Sequence, residues 1–483
     1  MTTLESTPPA GNRVQRLAIA IVGLLVGIAG VSATVAAATT RVSAPEVGTA
    51  AAGCPASDEK MVFVNGNSSR YSDKHVYGAV VLTSGSVMPA RLRNKSLRLL
   101  GNYRAAGAAH TYYFCLGPGS SGRFWISFGS PIHGLPTVQP TVEAPYRFGI
   151  VEFTYPANGS LDTSNVNNFD FPINLQRYKA PSSRTPKQSA VFTGTTCDVL
   201  NYLRRQNRGS GRPANLKDVV FAKGGRFVRI VAPDSSTNGW PDMGPYIHSL
   251  ASRLPLVTTG YFRGDRGPLV INDLYGGDPG TAANQGWFKV EGFFDASGKL
   301  TIDGGLHVQG LGEGAQKPGG TFTPIPQDMT ISEPTLDIGI YQQGFTYGVG
   351  NGNDLYAWIW GDLTSAFDYG YWGSPYGNNS IDFSRPIGMG STQTNGQPAF
   401  RPKRKVAFAP APGGLSYNLY AAVLSRFSPS YAIPYNERWG RGGYGTSPLL
   451  DMPTGGKVIM SVPPDGWSGK SGSTTCVKKR KRR

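Results

Sequence analysis

Short strand-like runs separated by turn signals fill the chain between residues 60 and 175. Each run is rich in β-branched and aromatic residues, and Gly, Pro, Asn or Ser residues mark the turns between them. The predicted strands are Lys60–Asn65, Val76–Thr83, Ser96–Leu100, Thr111–Leu116, Arg123–Phe128, Gly149–Tyr155 and Phe169–Leu175. This spacing predicts a mainly β protein built on a sandwich or barrel. With 64 Gly and 37 Pro among 483 residues, the composition also favours a loop-rich β fold.

The region around Glu152 is the most informative of these runs. Phe148–Tyr155 is an apolar strand, Pro156–Gly159 is a turn signal, and Val166–Leu175 resumes as strand, which together predict an antiparallel pair. Glu152 interrupts the apolar run. A carboxylate in that position either points to the polar face of a half-buried sheet or lies in a pocket, and a solvated strand Glu is the simpler interpretation.

Several motifs follow one another along the chain in a recognisable order. They are Val62-x-Val-Asn65, Asn67-Ser-Ser-Arg-Tyr-Ser-Asp73, Gly122-Arg-Phe-Trp-Ile-Ser-Phe-Gly129, Glu152-Phe-Thr154 with Asn158-Gly159, Ser164-x-Val166 with Pro172, and Asn418-Leu-Tyr420 with Tyr431-x-x-Pro434-Tyr435. Together they resemble glycoside hydrolase family 64, which comprises bacterial and fungal β-1,3-glucanases. The resemblance implies a thaumatin-like β-sandwich or barrel with a smaller inserted α/β domain, the two forming a wide cleft. It also implies that Glu152 is the general acid of an inverting acid/base mechanism.

The chain departs from the family pattern at the general base. In the family, the base is the Asp of V-D-x-x-x-x-P, and aligning Val166 and Pro172 without a gap puts Asn167 there. An amide can orient a water molecule but cannot accept its proton at neutral pH. The candidate replacement bases are Asp162, Asp170 and Glu437.

Substrate contacts are expected from two groups of residues. The first consists of motif residues Thr154, Asn158 and Tyr435, and the second lies in an aromatic-rich and Gly-rich stretch between residues 341 and 383. Sugar rings stack on aromatic faces while nearby polar groups bind the hydroxyls. The expected ligands in that stretch are Tyr369, Tyr371, Trp372 and Tyr376. Tyr356, Trp358 and Trp360 alternate as in a core strand, which is the competing interpretation.

Changes in composition divide the chain into six segments. These are 1–40, a signal peptide or N-terminal anchor; 41–58, a linker; 59–180, the first part of the sandwich; 181–310, an α/β domain; 311–467, aromatic-rich loops and a return to the sandwich; and 468–483, a basic tail. Within the α/β segment, helices are predicted at 196–205 and 241–254 and strands at 226–231, 286–294 and 299–302.

The first segment predicts export. Arg13 and Arg16 precede an apolar run from Leu17 to Val31, and Ala36-Ala-Ala38 offers a cleavage site. An uncleaved membrane anchor is the alternative, because the run extended to Ala38 approaches the ~20 residues that a membrane helix needs. The protein is therefore expected to be secreted or associated with the cell envelope.

Four cysteines in an exported chain suggest two disulfides with three possible connectivities. If the first and last strands lie together, Cys54 pairs with Cys476 and Cys115 with Cys197. The sequence has no C-x-x-C spacing and its five His residues are isolated, so neither a metal nor a cofactor is expected.

Lys and Arg outnumber Asp and Glu by 47 to 30, and part of the excess is the tail Lys478–Arg483. This tail is expected to bind an anionic wall polymer or membrane surface, with a solvated, disordered end as the alternative. Export argues against nucleic acid as a partner. Two functions follow: hydrolysis of a β-1,3-glucan or related envelope polysaccharide, or non-catalytic binding of a glucan or cell wall.

Overall fold

The computed structural model describes most of the chain from residue 53 to residue 466. The described residues are 53–92, 95–98, 109–155, 159–209, 219–222, 226–233, 240, 243–250, 256–263, 285–295, 297–302, 307–310, 323–324, 329–331, 364, 367–368, 380–383, 417–428, 432, 450–452 and 455–466. Residues 1–40, predicted as a signal peptide or N-terminal anchor, and the basic tail at 468–483 both lie outside them. Among the helices within these residues, none is long and apolar enough to span a membrane.

The described fold is mainly β. The first eleven strands are β1 (Glu59–Asn65), β2 (Val76–Ser84), β3 (Val87–Met88), β4 (Lys95–Arg98), β5 (Thr111–Leu116), β6 (Ser121–Phe128), β7 (Arg147–Thr154), β8 (Gly159–Ser164), β9 (Asn168–Phe169), β10 (Asn174–Tyr178) and β11 (Gln188–Ala190). The other strands are β12 (Val219–Ala222), β13 (Arg226–Val231), β14 (Leu256–Arg263), β15 (Gln285–Phe294), β16 (Leu300–Ile302), β17 (His307–Gly310), β18 (Thr323–Pro324), β19 (Met329–Ile331), β20 (Ser380–Phe383), β21 (Leu450–Met452) and β22 (Lys457–Val462). Three α-helices are described over their whole length: α1 (Thr196–Gly209), α2 (Gly244–Leu250) and α3 (Leu419–Ser425).

Two six-stranded sheets pack face to face. One has the order β11-β10-β22-β1-β5-β3 and the other has the order β21-β8-β7-β6-β2-β4. The core between them takes alternate residues from both sheets, including Phe63 and Met460 from the first and Phe124, Val151 and Phe153 from the second. Alternation along each strand leaves the remaining side chains on the outer faces. The spacing of short strands and turn signals predicted a mainly β sandwich or barrel; the described fold is mainly β, and none of its sheets closes into a barrel.

The hairpin partner of β7 differs from the prediction. The strand that pairs with β7 is β8, and the predicted partner Val166–Leu175 is divided between two sheets, with β9 on β13 and β10 on β22. Pro172 lies between these two short strands and has no N–H to donate to a ladder. The prediction overlooked β8 because Leu161 is the one apolar residue in its sequence Gly-Ser-Leu-Asp-Thr-Ser.

A second core forms where the helices meet a three-stranded sheet. The sheet has the order β12-β13-β9, and its Phe227 and Ile230 pack with Leu200 of α1 and Leu424 of α3. Asn418 caps α3 by accepting a hydrogen bond from the Ala421 N–H at 3.0 Å. The predicted helices at 196–205 and 241–254 correspond to α1 and α2, whereas α3 was not predicted.

A further sheet has the order β18-β17-β15-β14-β20, with β16 paired to β15 and β19 paired to β16. Its strands β15 and β16 fall where the sequence predicted strands at 286–294 and 299–302. The aromatic stretch expected to bind sugar lies almost wholly outside the described residues.

The predicted disulfide connectivity is wrong. Cys54 bonds to Cys115, with a Cα–Cα distance of 5.6 Å, and Cys197 is also disulfide-bonded. The physical reason is strand adjacency: β1 pairs with β5, and Lys60 lies directly opposite Cys115. The segment that enters β1 is thus tied to the neighbouring strand. Cys476 lies outside the described residues.

Candidate active site

The two faces of strand β7 have different surroundings. Val151 and Phe153 point into the sandwich core, and Phe148 and Ile150 belong to a separate cluster on the outer face. Glu152 follows the parity of Phe148 and Ile150, so it lies on the outer face. Its position between Val151 and Phe153 in sequence therefore does not bury it in the core.

A row of three charged residues crosses the outer face at Glu152. Arg123 on β6 lies opposite Glu152, and Asp162 on β8 lies opposite it on the other side. Arg123 Nε donates to Glu152 Oε1 at 2.6 Å, with 22% of the Arg123 side chain and 32% of the Glu152 side chain exposed. Asp162 is more deeply placed, at 8% exposure. The structure thus brings two carboxyl groups and one guanidinium together on a single face.

A covering segment, residues 130–146, folds over the part of the outer face next to this row. Its Ile132, Leu135 and Tyr146 pack in the cluster that contains Trp125 and Phe148. Beyond these contacts, Gln139 Oε1 accepts a hydrogen bond from Arg123 Nη1 at 3.1 Å. Glu152 therefore lies beside the covered part of the sheet, in a position that solvent and a ligand can reach.

Arg229 on β13 holds the covering segment in place. This fully buried side chain donates to the carbonyl oxygens of Thr141 at 2.8 Å, Ala144 at 3.0 Å and Tyr146. Its guanidinium also lies 4.5 Å from the centre of the Phe148 ring. The three carbonyl contacts fix the backbone that leads into β7.

Asp170 is the counter-ion of Arg229, and it is buried in the protein. Its Oδ2 lies 3.4 Å from Arg229 Nη2 and accepts from the Phe148 N–H at 2.6 Å, while Oδ1 accepts from Asn168 Nδ2 at 2.7 Å. Burial raises the pKa of Asp170 to about 6, against the opposing effect of the Arg229 charge. At 2% exposure the carboxyl group cannot meet substrate. This corrects the expectation that Asp170 replaces the missing base.

The other predicted site residues fall into two groups. Asn167 is exposed, and its carbonyl oxygen accepts from the Ala232 N–H at 3.0 Å in the loop between β8 and β9. Thr154 is exposed at the end of β7, with its Oγ1 3.4 Å from Ser121 Oγ. The remaining predictions lie outside the described residues: Asn158, Tyr369, Tyr371, Trp372, Tyr376, Tyr435 and Glu437.

Sequence reasoning did not single out Arg123, Gln139 or Arg229. Arg123 lies inside the Gly122-Arg-Phe-Trp motif, so its motif membership was a usable signal. The contacts of Gln139 and Arg229 join residues that are distant in sequence. Within the described part of the chain, no group of three or more His, Cys, Asp or Glu residues could hold a metal ion.

Solved structures of β-1,3-glucanases are similar to this chain at low sequence identity. A β-1,3-glucanase domain of glycoside hydrolase family 64 from Clostridium beijerinckii has 17% identity, covers 86% of this chain and 100% of its own, and superposes with a TM-score of 0.49. A laminaripentaose-producing β-1,3-glucanase in complex with laminaritetraose has 12% identity and a TM-score of 0.47. The match covers 85% of this chain and 99% of that enzyme's chain. A family 64 laminaripentaose-producing β-1,3-glucanase from Paenibacillus barengoltzii, complexed with laminarihexaose, has 13% identity and a TM-score of 0.38. The match covers 84% of this chain and 75% of that enzyme's chain.

No protein-family model matches the sequence, and no curated protein matches it either. At this level of similarity, no residue role follows from the solved structures.

Proposed function

We propose that this protein hydrolyses β-1,3-glucan or a related envelope polysaccharide, with Glu152 and Asp162 as its acid and base. The observation that carries the proposal is their register: the two residues lie directly opposite each other on β7 and β8. Of the three candidate replacement bases, Asp170 is buried beside Arg229 and Glu437 lies outside the described residues. Asp162 is the candidate that neighbours Glu152.

Glycosidic hydrolysis needs one carboxylic acid to protonate the leaving oxygen and one carboxylate to act on the other side of the reacting carbon. Arg123 engages Oε1 of Glu152, so the proton that Glu152 donates as the acid is carried on Oε2. Asp162 then activates water by accepting its proton. Arg123 orients Glu152 through Nε, and Gln139 in turn orients Arg123.

The separation of the two carboxyl groups determines the stereochemistry. Inversion uses roughly 6.5–9.5 Å and retention about 5–5.5 Å. Residues directly opposite in an antiparallel pair have Cβ atoms about 4.5–5.5 Å apart, so inversion requires the two side chains to diverge from their strands. We assign inversion, which is what the family resemblance implies, and the anomer of the first-formed product tests it.

The finer parts of the proposal rest on the sequence. We propose a thaumatin-like sandwich with an inserted α/β domain, export to the cell envelope, and sugar binding by the aromatic stretch and by Thr154. We also keep the proposal that Lys478–Arg483 binds an anionic surface. Such binding must weaken between 0.1 M and 1 M salt, because screening shortens the Debye length from about 10 Å to about 3 Å.

A non-catalytic glucan-binding or wall-binding protein is the second candidate. The observation that favours it is Asn167 at the position where the family pattern has its base. Such a protein would keep the outer face of the sandwich as a binding surface and would not need the second carboxyl group.

Reducing-end release from laminarin separates the two candidates. The hydrolase proposal expects release by the wild type and a loss of about 10²–10⁴-fold in Glu152→Gln, which keeps the shape of the side chain but has no proton to donate. Circular dichroism and the melting temperature serve as folding controls. Wild-type binding to laminarin without release would favour the binding protein, and equal turnover in Glu152→Gln would exclude Glu152 as the acid.

A further inference from the structure

A cavity of about 200 Å³ lies between the end of the sandwich and the three-stranded sheet. Aromatic rings of Tyr71, Phe128, Tyr146 and Phe227 line it, together with Arg147 and Ser130. Pockets for drug-sized ligands measure about 300–1,000 Å³, so this smaller cavity fits a ligand of about one ring. It lies at the start of β7, and five residues of extended strand place Arg147 about 17 Å from Glu152.

The aromatic walls suit the faces of a sugar ring. Tyr71 and Phe128 have ring centres 4.9 Å apart, which gives the cavity a continuous aromatic side. Tyr146, the last residue of the covering segment, is only partly buried. Aromatic faces of this kind attract the C–H groups of a pyranose.

Arg147 argues that the ligand is neutral. Its Nη1 donates to Asp465 Oδ2 at 2.6 Å and its Nη2 to Asp465 Oδ1 at 2.9 Å, while Nε donates to the Asp170 carbonyl oxygen at 3.1 Å. One face of the guanidinium lies 5.7 Å from the centre of the Phe227 ring. With its donors engaged and its charge neutralised by Asp465, Arg147 does not select an anion.

We propose that this aromatic cavity is a second carbohydrate site, which binds one hexose ring of a neutral glucan without taking part in catalysis. The inference goes beyond the proposed hydrolysis, because binding here requires no activity at Glu152. A chain held at both places would be tethered while the site at Glu152 acts on another part of it.

The test uses Glu152→Gln protein, so that the probe is not consumed. Laminaribiose is titrated calorimetrically into this parent and into parents that also carry Tyr71→Ala or Ser130→Phe. Tyr71→Ala removes an aromatic wall, and Ser130→Phe places a ring in the cavity. Tyr113→Ala is the matched control, because Tyr113 is a partly buried tyrosine on β5 of the other sheet, with Lys60 Nζ 4.4 Å from its ring centre.

The site predicts that Tyr71→Ala binds laminaribiose about three- to tenfold more weakly, the range expected for one aromatic contact. Ser130→Phe should lose binding in the filled cavity, and the control should bind as its parent does. A crystal of Glu152→Gln protein soaked in laminaribiose should show a sugar ring on Tyr71. Parent-like binding by Ser130→Phe and Tyr71→Ala, or sugar bound only elsewhere, would overturn the proposal.

The same variants keep the two proposals separate. In the background with Glu152 intact, Tyr71→Ala and Ser130→Phe should hydrolyse laminaritriose at the wild-type rate. Binding in the cavity by a protein without hydrolysis would leave this site in place and remove the proposed function. If the protein hydrolyses glucan but the cavity variants bind laminaribiose as their parent does, the proposed function stands and the cavity site is ruled out.

Discussion

Glu152 and Asp162 face each other across the β7–β8 hairpin, on the side of the sheet that points away from the sandwich core. Asp170, the other described candidate base, lies buried against Arg229. The two aspartates therefore occupy different environments, although eight residues separate them in sequence.

Asp162→Asn should lower laminarin turnover by about 10²–10⁴-fold, because an amide cannot accept the proton of the attacking water. The fold should remain intact, as judged by near-UV circular dichroism. Asp170→Asn is the matched control. It should lower the stability of the fold and should not remove the catalytic base. It leaves the Arg229 charge buried without its counter-ion, which costs about 3–5 kcal/mol of unfolding free energy. Full activity in Asp162→Asn would eliminate Asp162 as the base.

Arg123→Lys should reduce kcat about tenfold or more while KM for laminarin changes little, because lysine keeps the charge but loses the Nε contact that orients Glu152. Gln139→Ala should also reduce kcat, but by a smaller factor, since Gln139 acts through Arg123. Steady-state kinetics on both variants provide the measurement. A rise in KM with kcat unchanged would instead place Arg123 in substrate binding.

Asn167→Asp should leave laminarin turnover unchanged if Asp162 already serves as the base. Restoring the family's Asp at this exposed position tests the alternative directly. A gain in turnover by the folded Asn167→Asp protein would mean that the base had been lost at Asn167. The protein would then be a lapsed enzyme, and Asp162 would have no catalytic part.

The sequence predicted most strands of the sandwich because their signal is local. The run of β-branched, aromatic and apolar residues in Thr111–Leu116, for example, is complete within six residues, and β5 has these bounds. The register between strands has no such signal. Strand β8 is mostly polar, so nothing in the sequence placed Asp162 opposite Glu152.

Long-range contacts explain the rest of what the sequence did not show. Asp170 looked like a candidate base because it is an acid near Pro172 in a family motif. Its partner Arg229 lies on β13, and only the packing of β13 against β9 and the covering segment brings the two side chains together. The cysteine pairing failed for the same reason, because the adjacency of β1 and β5 decides which cysteines meet.

Replacing both Cys54 and Cys115 with Ser should lower the unfolding free energy by about 4 kcal/mol. The estimate follows from the sequence separation of 61 residues, since the bond restricts that loop in the unfolded chain. Chemical denaturation of the oxidised wild type and the double variant provides the measurement. An unchanged denaturation midpoint would mean that the bond does not limit the unfolded state.

Glu59→Gln should flatten the pH dependence of stability between about pH 4.5 and pH 7. Glu59 is fully buried at the start of β1, where its Oε2 accepts from the Gly456 N–H at 2.7 Å. Burial raises the pKa of Glu59 from 4.5 to about 7, although the Gly456 N–H and the Arg177 charge oppose the shift. The folded protein therefore keeps a proton that the unfolded chain has already released. Its stabilising contribution is fully present below pH 4.5 and is lost as pH rises through about 7.

The size of this loss is on the order of 3 kcal/mol, because each pKa unit corresponds to about 1.4 kcal/mol. Other groups titrate in the same window, so the informative quantity is the wild-type unfolding free energy minus that of Glu59→Gln at each pH. Denaturant titrations at pH 4.5, 6 and 8 measure it. We expect this difference to fall from pH 4.5 to pH 8, because the wild type loses unfolding free energy relative to Glu59→Gln as the pH rises. A difference independent of pH would show that Glu59 does not hold a proton in the folded protein at pH 6.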